Sequence, residues 1–336
     1  MIRPQPQTSP VLHPVDSLSA RLSDDLAAVN AIILDRMQSD IPLIPQLAGH
    51  LIAAGGKRIR PLLTLAAAAL FGYDGGRQHR LAACVEFIHT ATLLHDDVVD
   101  DSSQRRGKAS ANAIFGNEAA VLVGDFLFSR SFQLMVEDGS LDVLRVLSNA
   151  SAVIAEGEVL QLSTANDIAT TEDQYLRVIS AKTAALFAAA CEVGGLVADR
   201  GEKACAALRA YGMHLGVAFQ ISDDVLDYAA AEDRLGKSLG DDFREGKMTL
   251  PVIKALAQAD ESERTFWQRT LGALDQQDGD FETALDILRK HDALAASLQA
   301  ARVEAEKGCL ALETLPPHPV RDDLAALMSF AVERDY

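Results

Sequence analysis

Phe219-Gln220-Ile221-Ser222-Asp223-Asp224-Val225-Leu226-Asp227 repeats the aspartate spacing of an upstream stretch, Leu94-His95-Asp96-Asp97-Val98-Val99-Asp100. On a helix advancing about 100° per residue, Asp96 and Asp100 fall within about 40° of each other, and His89 lies on the same stripe. Gln220, Asp223, Asp224 and Asp227 stand at i, i+3, i+4 and i+7, which gathers four polar side chains on one face of an apolar segment. Both motifs follow runs, 84–94 and 212–221, apolar enough to be buried. Like charges four residues apart destabilise a helix, so each cluster calls for a counter-ion.

Outward from these motifs the pattern stays helical. From Ser17 onward, segments rich in Ala and Leu alternate with short turn clusters such as Tyr73-Asp74-Gly75-Gly76 and Asp138-Gly139-Ser140, with no long alternating β pattern. Apolar residues make up 49% of the 336 and aromatics only 5%, which suits packed helices better than an aromatic-rich sandwich. The expected fold is all-α: a single helical bundle over residues 17–336, preceded by a loose, proline-rich arm over 1–16, with no spacer dividing the chain. The charged, glycine-containing region 228–247 reads as a loop or lid between two helices. Cys84, Cys191, Cys205 and Cys309 are far apart and form no CxxC pair, as reduced core residues would.

A formal charge of −17 argues against general nucleic-acid binding. The longest stretch free of charged residues, 41–56, holds two prolines and three glycines and cannot span a membrane. No secretion signal is visible, so the expected location is cytoplasmic, with any membrane contact a transient one at product release.

Carboxylates on separate helices suit Mg²⁺, a hard ion that prefers oxygen ligands and is commonly held by one or two carboxylates plus substrate phosphates. The remaining ligands would then come from a diphosphate. Neither motif has the central Gly and terminal Glu of a calcium-binding EF-hand loop. A second element, Gly55-Gly56-Lys57-Arg58-Ile59-Arg60-Pro61, reads as the end of one helix and the start of another, with Pro61 at the first position of the new helix. Lys57 and Arg60 would oppose the dipole there unless an anion were bound, in which case dipole, free N–H groups and side chains act together. The stretch is not a Walker A loop, since Leu51 stands where the first Gly should be and Arg58 where Ser or Thr should be. Further cations follow each carboxylate cluster: Arg105 and Arg106 after the first, Lys237 and Lys247 after the second, with Lys182-Thr183 in an apolar helix. Such a set could neutralise two diphosphates.

Taken together, Gly55 to Pro61, His89 to Asp100, Arg105-Arg106-Gly107, Lys182-Thr183 and Phe219 to Asp227 resemble the trans-type polyprenyl diphosphate synthases, and within them the bacterial long-chain members that make octaprenyl, solanesyl and decaprenyl diphosphates for quinone side chains. The resemblance implies an isoprenoid-synthase helical fold with a central cavity, and a homodimer. It implies that Lys57, Arg60, His89 and Arg106 bind isopentenyl diphosphate, and that Arg105, Lys182, Thr183, Gln220, Lys237 and Lys247 bind the allylic diphosphate. Asp96, Asp100 and Asp223 match its Mg²⁺ ligands, three ions per site with substrate bound, and Asp97, Asp224 and Asp227 complete the catalytic aspartate motifs. The implied reaction ionises the allylic C–O bond, and isopentenyl diphosphate attacks the resulting carbocation. Chain length would follow cavity depth. The small pair Ala91 and Thr92, before the first motif, leaves the tunnel open, and Phe132 and Met135 form its expected floor; Ala91→Tyr should then shorten the products. Two rivals are a class I terpene cyclase, which needs no isopentenyl site, and a non-catalytic partner subunit of a heteromeric synthase, which commonly lacks one aspartate motif.

Overall fold

A computed structural model describes residues 13–53, 56–105, 107–229 and 240–333. Its helices are α1 (Pro14–Arg21), α2 (Ser23–Arg36), α3 (Leu43–Ala53), α4 (Ile59–Ala69), α5 (Arg77–Val99), α6 (Ala111–Phe115), α7 (Asn117–Asp138), α8 (Leu141–Thr164) and α9 (Glu172–Ile179). They continue as α10 (Ala185–Val197), α11 (Glu202–Ala229), α12 (Asp241–Arg244), α13 (Leu250–Leu256), α14 (Glu261–Trp267), α15 (Asp280–Lys290), α16 (Ala293–Glu313) and α17 (Pro319–Val332). The all-α expectation holds. The sheet among the described residues is one two-residue hairpin, β1 (Gln104–Arg105) antiparallel to β2 (Lys108–Ala109), directly after the first aspartate motif.

Local chemistry sets the helix ends. Gly76, at φ +84°, opens α5, and Gly139, at φ +74°, closes α7; both conformations strain any residue with a Cβ. Thr171 and Gln174 form a reciprocal capping box at the start of α9. Pro61 lies at the third position of α4 rather than the first, since the helix already begins at Ile59. A proline is tolerated there because the first-turn N–H groups have no partner within the helix.

The middle of the bundle is α10, nearly every residue of which is buried, packed between α4, α8 and α11. A Cβ on Gly194 would sit 2.5 Å from the Thr64 carbonyl, so α4 and α10 approach as closely as backbones allow. α5 runs along α7 and α4, and α11 along α10 and α16, so the two aspartate motifs ride on different helices around one core. Each fully buried Leu or Ile here, Leu62, Leu63, Leu65 and Ile88 among them, contributes roughly 1.5–3 kcal/mol of transfer free energy.

Residues 1–12 lie outside the described residues. Of the segment read as an arm, 14–16 form the start of α1, with Val15 buried and the His13 ring packed edge-on against Phe330 of α17. Within the region read as a lid, 230–239 lie outside the described residues, while 228–229 end α11 and 240–247 contain α12. The four cysteines are unpaired, three buried and Cys309 half-buried. Among the described residues α7 is long and apolar enough to cross a membrane by length and composition, yet it carries Asp125 and Arg130 and packs along α5.

Candidate active site

One cleft of about 540 Å³ lies between the C-terminal half of α5, the start of α4, α8, the turn before α10, and the C-terminal part of α11. Ten carboxylate residues and six Lys or Arg line it beside apolar side chains, so its charged part is net acidic. Asp96 and Asp100 reach it from α5, and Asp223, Asp224 and Asp227 from α11. Asp96 sits inside α5, and Asp100 is its C-cap residue.

The central aspartates of the two motifs behave differently from their neighbours. Asp97 is almost fully buried and points away from the cleft; the Arg105 guanidinium holds its Oδ1 through Nη2 at 2.6 Å and Nε at 2.7 Å. Arg105 thus lines the cleft while anchoring the hairpin to α5. Asp224 accepts the Tyr175 hydroxyl at 2.6 Å and the Gln220 amide at 2.7 Å, and Gln220 in turn accepts the Thr183 hydroxyl at 2.9 Å. Burial, then repulsion from Asp242 and Asp223, pushes the Asp224 carboxyl well above the usual carboxylate range, against the pull of its two donors. Asp227 Oδ2 accepts the Asp242 amide at 3.0 Å, which ties α12 to α11.

Two groups of cations face these acids. At one end the turn before α4 places Arg58 in the left-handed region, φ 48°, with its guanidinium on Glu86 of α5. Arg60 stacks over the Phe187 ring at 4.4 Å, and its Nη1 lies 3.0 Å from His89 Nε2. Lys57 lies over the Phe330 ring, with Nζ 3.4 Å from His13 Nε2. At the other end Lys182 Nζ lies 2.7 Å from Glu158 and 3.7 Å from Asp96, and Lys247 Nζ lies 3.4 Å from Asp100 while also pairing with Glu245. Burial opposes the charged form of Lys247, but Asp242, Asp100 and Glu245 outweigh it and raise its pKa. Lys182 and Thr183 belong to a single π-helical turn, Ser180–Ala184, between α9 and α10. Such wide turns often mark functional positions because they re-aim side chains.

Of the residues singled out from sequence, Lys57, Arg60, His89, Thr92, Asp96, Asp100, Arg105, Lys182, Thr183, Gln220, Asp223, Asp224, Asp227 and Lys247 share this cleft. Arg106 and Lys237 lie outside the described residues. Ala91 and Met135 are buried in the core and Phe132 is exposed beside Phe128; none of the three lines the cleft. His95 turns toward α7, its Nε2 3.3 Å from the Val121 carbonyl. Sequence reading missed Glu158, Tyr175, Glu86 and Asp242. Glu158 and Tyr175 stand alone in ordinary helical sequence, and only the fold brings them to the motifs.

The donor set fits a hard divalent cation. Its carboxylate oxygens come from two helices, and their charge is only partly balanced: burial and the neighbouring Asp100 and Asp97 raise the Asp96 carboxyl despite Lys182 and Arg105. Among the described residues no three His, Cys, Asp or Glu side chains converge as a ready-made metal site.

A family model described as polyprenyl synthetase matches residues 41–288. The octaprenyl diphosphate synthase of Escherichia coli (strain K12) is 47% identical over 326 residues, 96% of this chain and 99% of the relative. A crystal structure of a decaprenyl diphosphate synthase from Rhodobacter capsulatus superposes with a TM-score of 0.92 at 57% identity, over 96% of this chain and 99% of that one. A polyprenyl synthase from Caulobacter crescentus CB15, complexed with calcium and isoprenyl diphosphate, superposes with a TM-score of 0.93 at 51% identity, over 99% of this chain and 100% of that one. Likeness that extends over almost the whole length in both sequence and fold, and not only at the aspartate motifs, leads to one conclusion: this chain belongs to the polyprenyl synthetase family.

Proposed function

We propose that this chain is a long-chain trans-polyprenyl diphosphate synthase, adding isopentenyl diphosphate head to tail to an allylic diphosphate, with farnesyl diphosphate as primer. Its product would be of octaprenyl to decaprenyl length and serve as a quinone side chain. The observation that carries this reading is a single cleft holding two facing carboxylate clusters and two separate groups of cations, as two diphosphates require. A terpene cyclase handles one diphosphate and would leave Lys57, Arg60 and His89 without a role. A non-catalytic subunit would have no use for two intact aspartate motifs.

In this reading Lys57, Arg60 and His89 bind the diphosphate of isopentenyl diphosphate, joined by Arg106. Lys182, Thr183, Gln220, Arg105, Lys237 and Lys247 receive the allylic diphosphate. Mg²⁺, three ions with substrate present, supplies charge neutralisation for the departing diphosphate when held by Asp96, Asp100 and Asp223. The allylic C–O bond breaks to leave a carbocation and free diphosphate. The double bond of isopentenyl diphosphate attacks that cation, and the adduct loses a proton to the released diphosphate. The chain supplies no nucleophile; its work is to orient two substrates and to keep water from the cation with apolar wall residues such as Leu93, Val178, Phe187 and Phe219. Thr92, small and on the cleft wall, supports a deep product channel.

The unit would act as a cytoplasmic homodimer, with residues 17–336 as one catalytic domain. Exposed apolar side chains in stripes on α7 (Leu122, Phe132, Val136) and α8 (Val159, Leu162) support a helical interface with a second copy. Incubation with Mg²⁺, farnesyl diphosphate and labelled isopentenyl diphosphate, followed by sizing of the dephosphorylated products, tests the proposal. A ladder ending at octaprenyl to decaprenyl length supports it. Failure to incorporate label with farnesyl, geranyl or geranylgeranyl primers, in protein that is folded and binds metal, overturns it in favour of a cyclase or partner-dependent subunit.

A further inference from the structure

Lys182 is placed between two carboxylates of unequal distance. Glu158 of α8 holds its Nζ at 2.7 Å, while Asp96 of α5, the first residue of the first aspartate motif, lies at 3.7 Å. A lysine on a flexible four-carbon stem can choose between such neighbours. Pairing with Asp96 would occupy a carboxylate that divalent cations need.

The backbone around this pair is built to favour Glu158. Gly157, the residue before it, packs so closely on the turn 180–184 that a Cβ there would lie 2.7 Å from the Lys182 amide nitrogen and 2.8 Å from the Ala181 Cβ. The π-helical geometry of that turn, closed by a bond from the Ala185 amide to the Ser180 carbonyl, brings Lys182 and Thr183 together at the cleft. The Thr183 hydroxyl is fixed on Gln220, so the turn is held on the α11 side as well.

We infer that Glu158 is a positioning residue that retains Lys182 on the α8 side and so leaves Asp96 open to divalent cations. On this inference it acts through the lysine and not directly on substrate or metal. This inference rests on the reading of the cleft as the prenyl-transfer site, and it assigns a task to a residue that neither aspartate motif contains. Loss of the Glu158 charge frees Lys182 to close the gap to Asp96, where a fixed ammonium competes with metal.

A double-mutant cycle on the full-length chain separates this role from its alternatives. Mn²⁺ affinity is measured by electron paramagnetic resonance with inorganic pyrophosphate present, for wild type, Glu158→Gln, Lys182→Met and the double variant. Glu158→Gln should weaken Mn²⁺ binding about 3- to 10-fold, the range of a typical 1 kcal/mol coupling, and the same change in the Lys182→Met background should have no effect. In steady-state assays Glu158→Gln should raise the Mg²⁺ concentration for half-maximal rate and leave KM for isopentenyl diphosphate unchanged, with Glu158→Asp restoring most of the metal affinity. Unchanged Mn²⁺ affinity in Glu158→Gln overturns the inference. So does a loss of equal size in the Lys182→Met background, which direct attraction between Glu158 and the cation would give. The Mn²⁺ readout does not depend on turnover, so an inactive wild type would refute the prenyl-transfer reading without deciding the cycle.

Discussion

The two aspartate motifs share a spacing and almost nothing else. In the first, the middle residue Asp97 is a buried anion neutralised by a cation, Arg105, that arrives from the hairpin just beyond the helix. In the second, the middle residue Asp224 is held by two neutral donors, Tyr175 and Gln220, and its carboxyl is pushed toward the protonated form. The first motif ends its helix, so its last residue Asp100 is a C-cap, whereas α11 runs on to Ala229. The shared pattern brings the first and last carboxylates of both motifs to the cleft, while the middle ones are held by different chemistry. Charge pairing gives the first motif a rigid link to the hairpin. Neutral donors, not a guanidinium, hold the middle carboxyl of the second.

The largest expected effect treats the motifs alike: Asp96→Asn and Asp223→Asn should each lower turnover by about 10²–10³-fold, the scale of losing one preorganised electrostatic contact. Steady-state rates at saturating Mg²⁺ check this, and a loss confined to one of the two would break the symmetry. Next, the middle residues should separate. Asp97→Asn leaves an acceptor but removes the counter-charge of the Arg105 guanidinium, and should cost about 1–3 kcal/mol, at the low end for a buried ion because Arg105 keeps part of its side chain in water. Asp224→Asn retains partners for both of its atoms, since the Tyr175 hydroxyl can turn to accept, and should cost under about 1 kcal/mol. Urea melts of the two variants compare them, and equal losses would erase the distinction.

Tyr175→Phe should cost about 1 kcal/mol by removing one of the two donors to Asp224, with no change at the first motif. Thr92→Tyr, on the cleft wall, should shift the product ladder to shorter chains, and unchanged products would place the depth limit elsewhere.

The smallest effect concerns α11 away from its motif. Glu304 of α16 accepts from His214 of α11 at 2.7 Å, and this bond, with Lys307, holds its carboxyl below the usual range despite burial. A lowered carboxyl stabilises the fold above the ordinary carboxylate pKa and loses that contribution as pH falls through its folded value. Glu304→Gln should therefore cost a few tenths of a kcal/mol at neutral pH, the effect fading as the pH falls below the ordinary carboxylate range, as melts across pH would read.

Much of the site was legible because helical periodicity converts spacing into direction. Asp96 with Asp100, and Gln220 with Asp223 and Asp227, needed only the 3.6-residue repeat to share a face, and Lys57 and Arg60 needed only a helix start. The supports were not legible. Glu158 and Tyr175 lie far from either motif in sequence, and no periodicity links α8 or α9 to them; Asp242 falls in the charged region 228–247, whose side-chain partners its sequence does not specify. The residues read as setting product length show the same limit: Thr92 reaches the cleft but Ala91, one position and 100° away, is in the core.

From its sequence alone the chain was determined to be helical, acidic and equipped with two carboxylate stripes and two groups of cations, since propensity, charge and helical phase are local properties. Only the tertiary structure decided that both stripes face one cleft, that Asp97 and Asp224 turn to different partners, and that Lys182 lies nearer Glu158 than Asp96. Those outcomes depend on how closely helices approach, at Gly157 and Gly194 above all, and on charges brought together by burial, where a few ångströms decide which pairing wins.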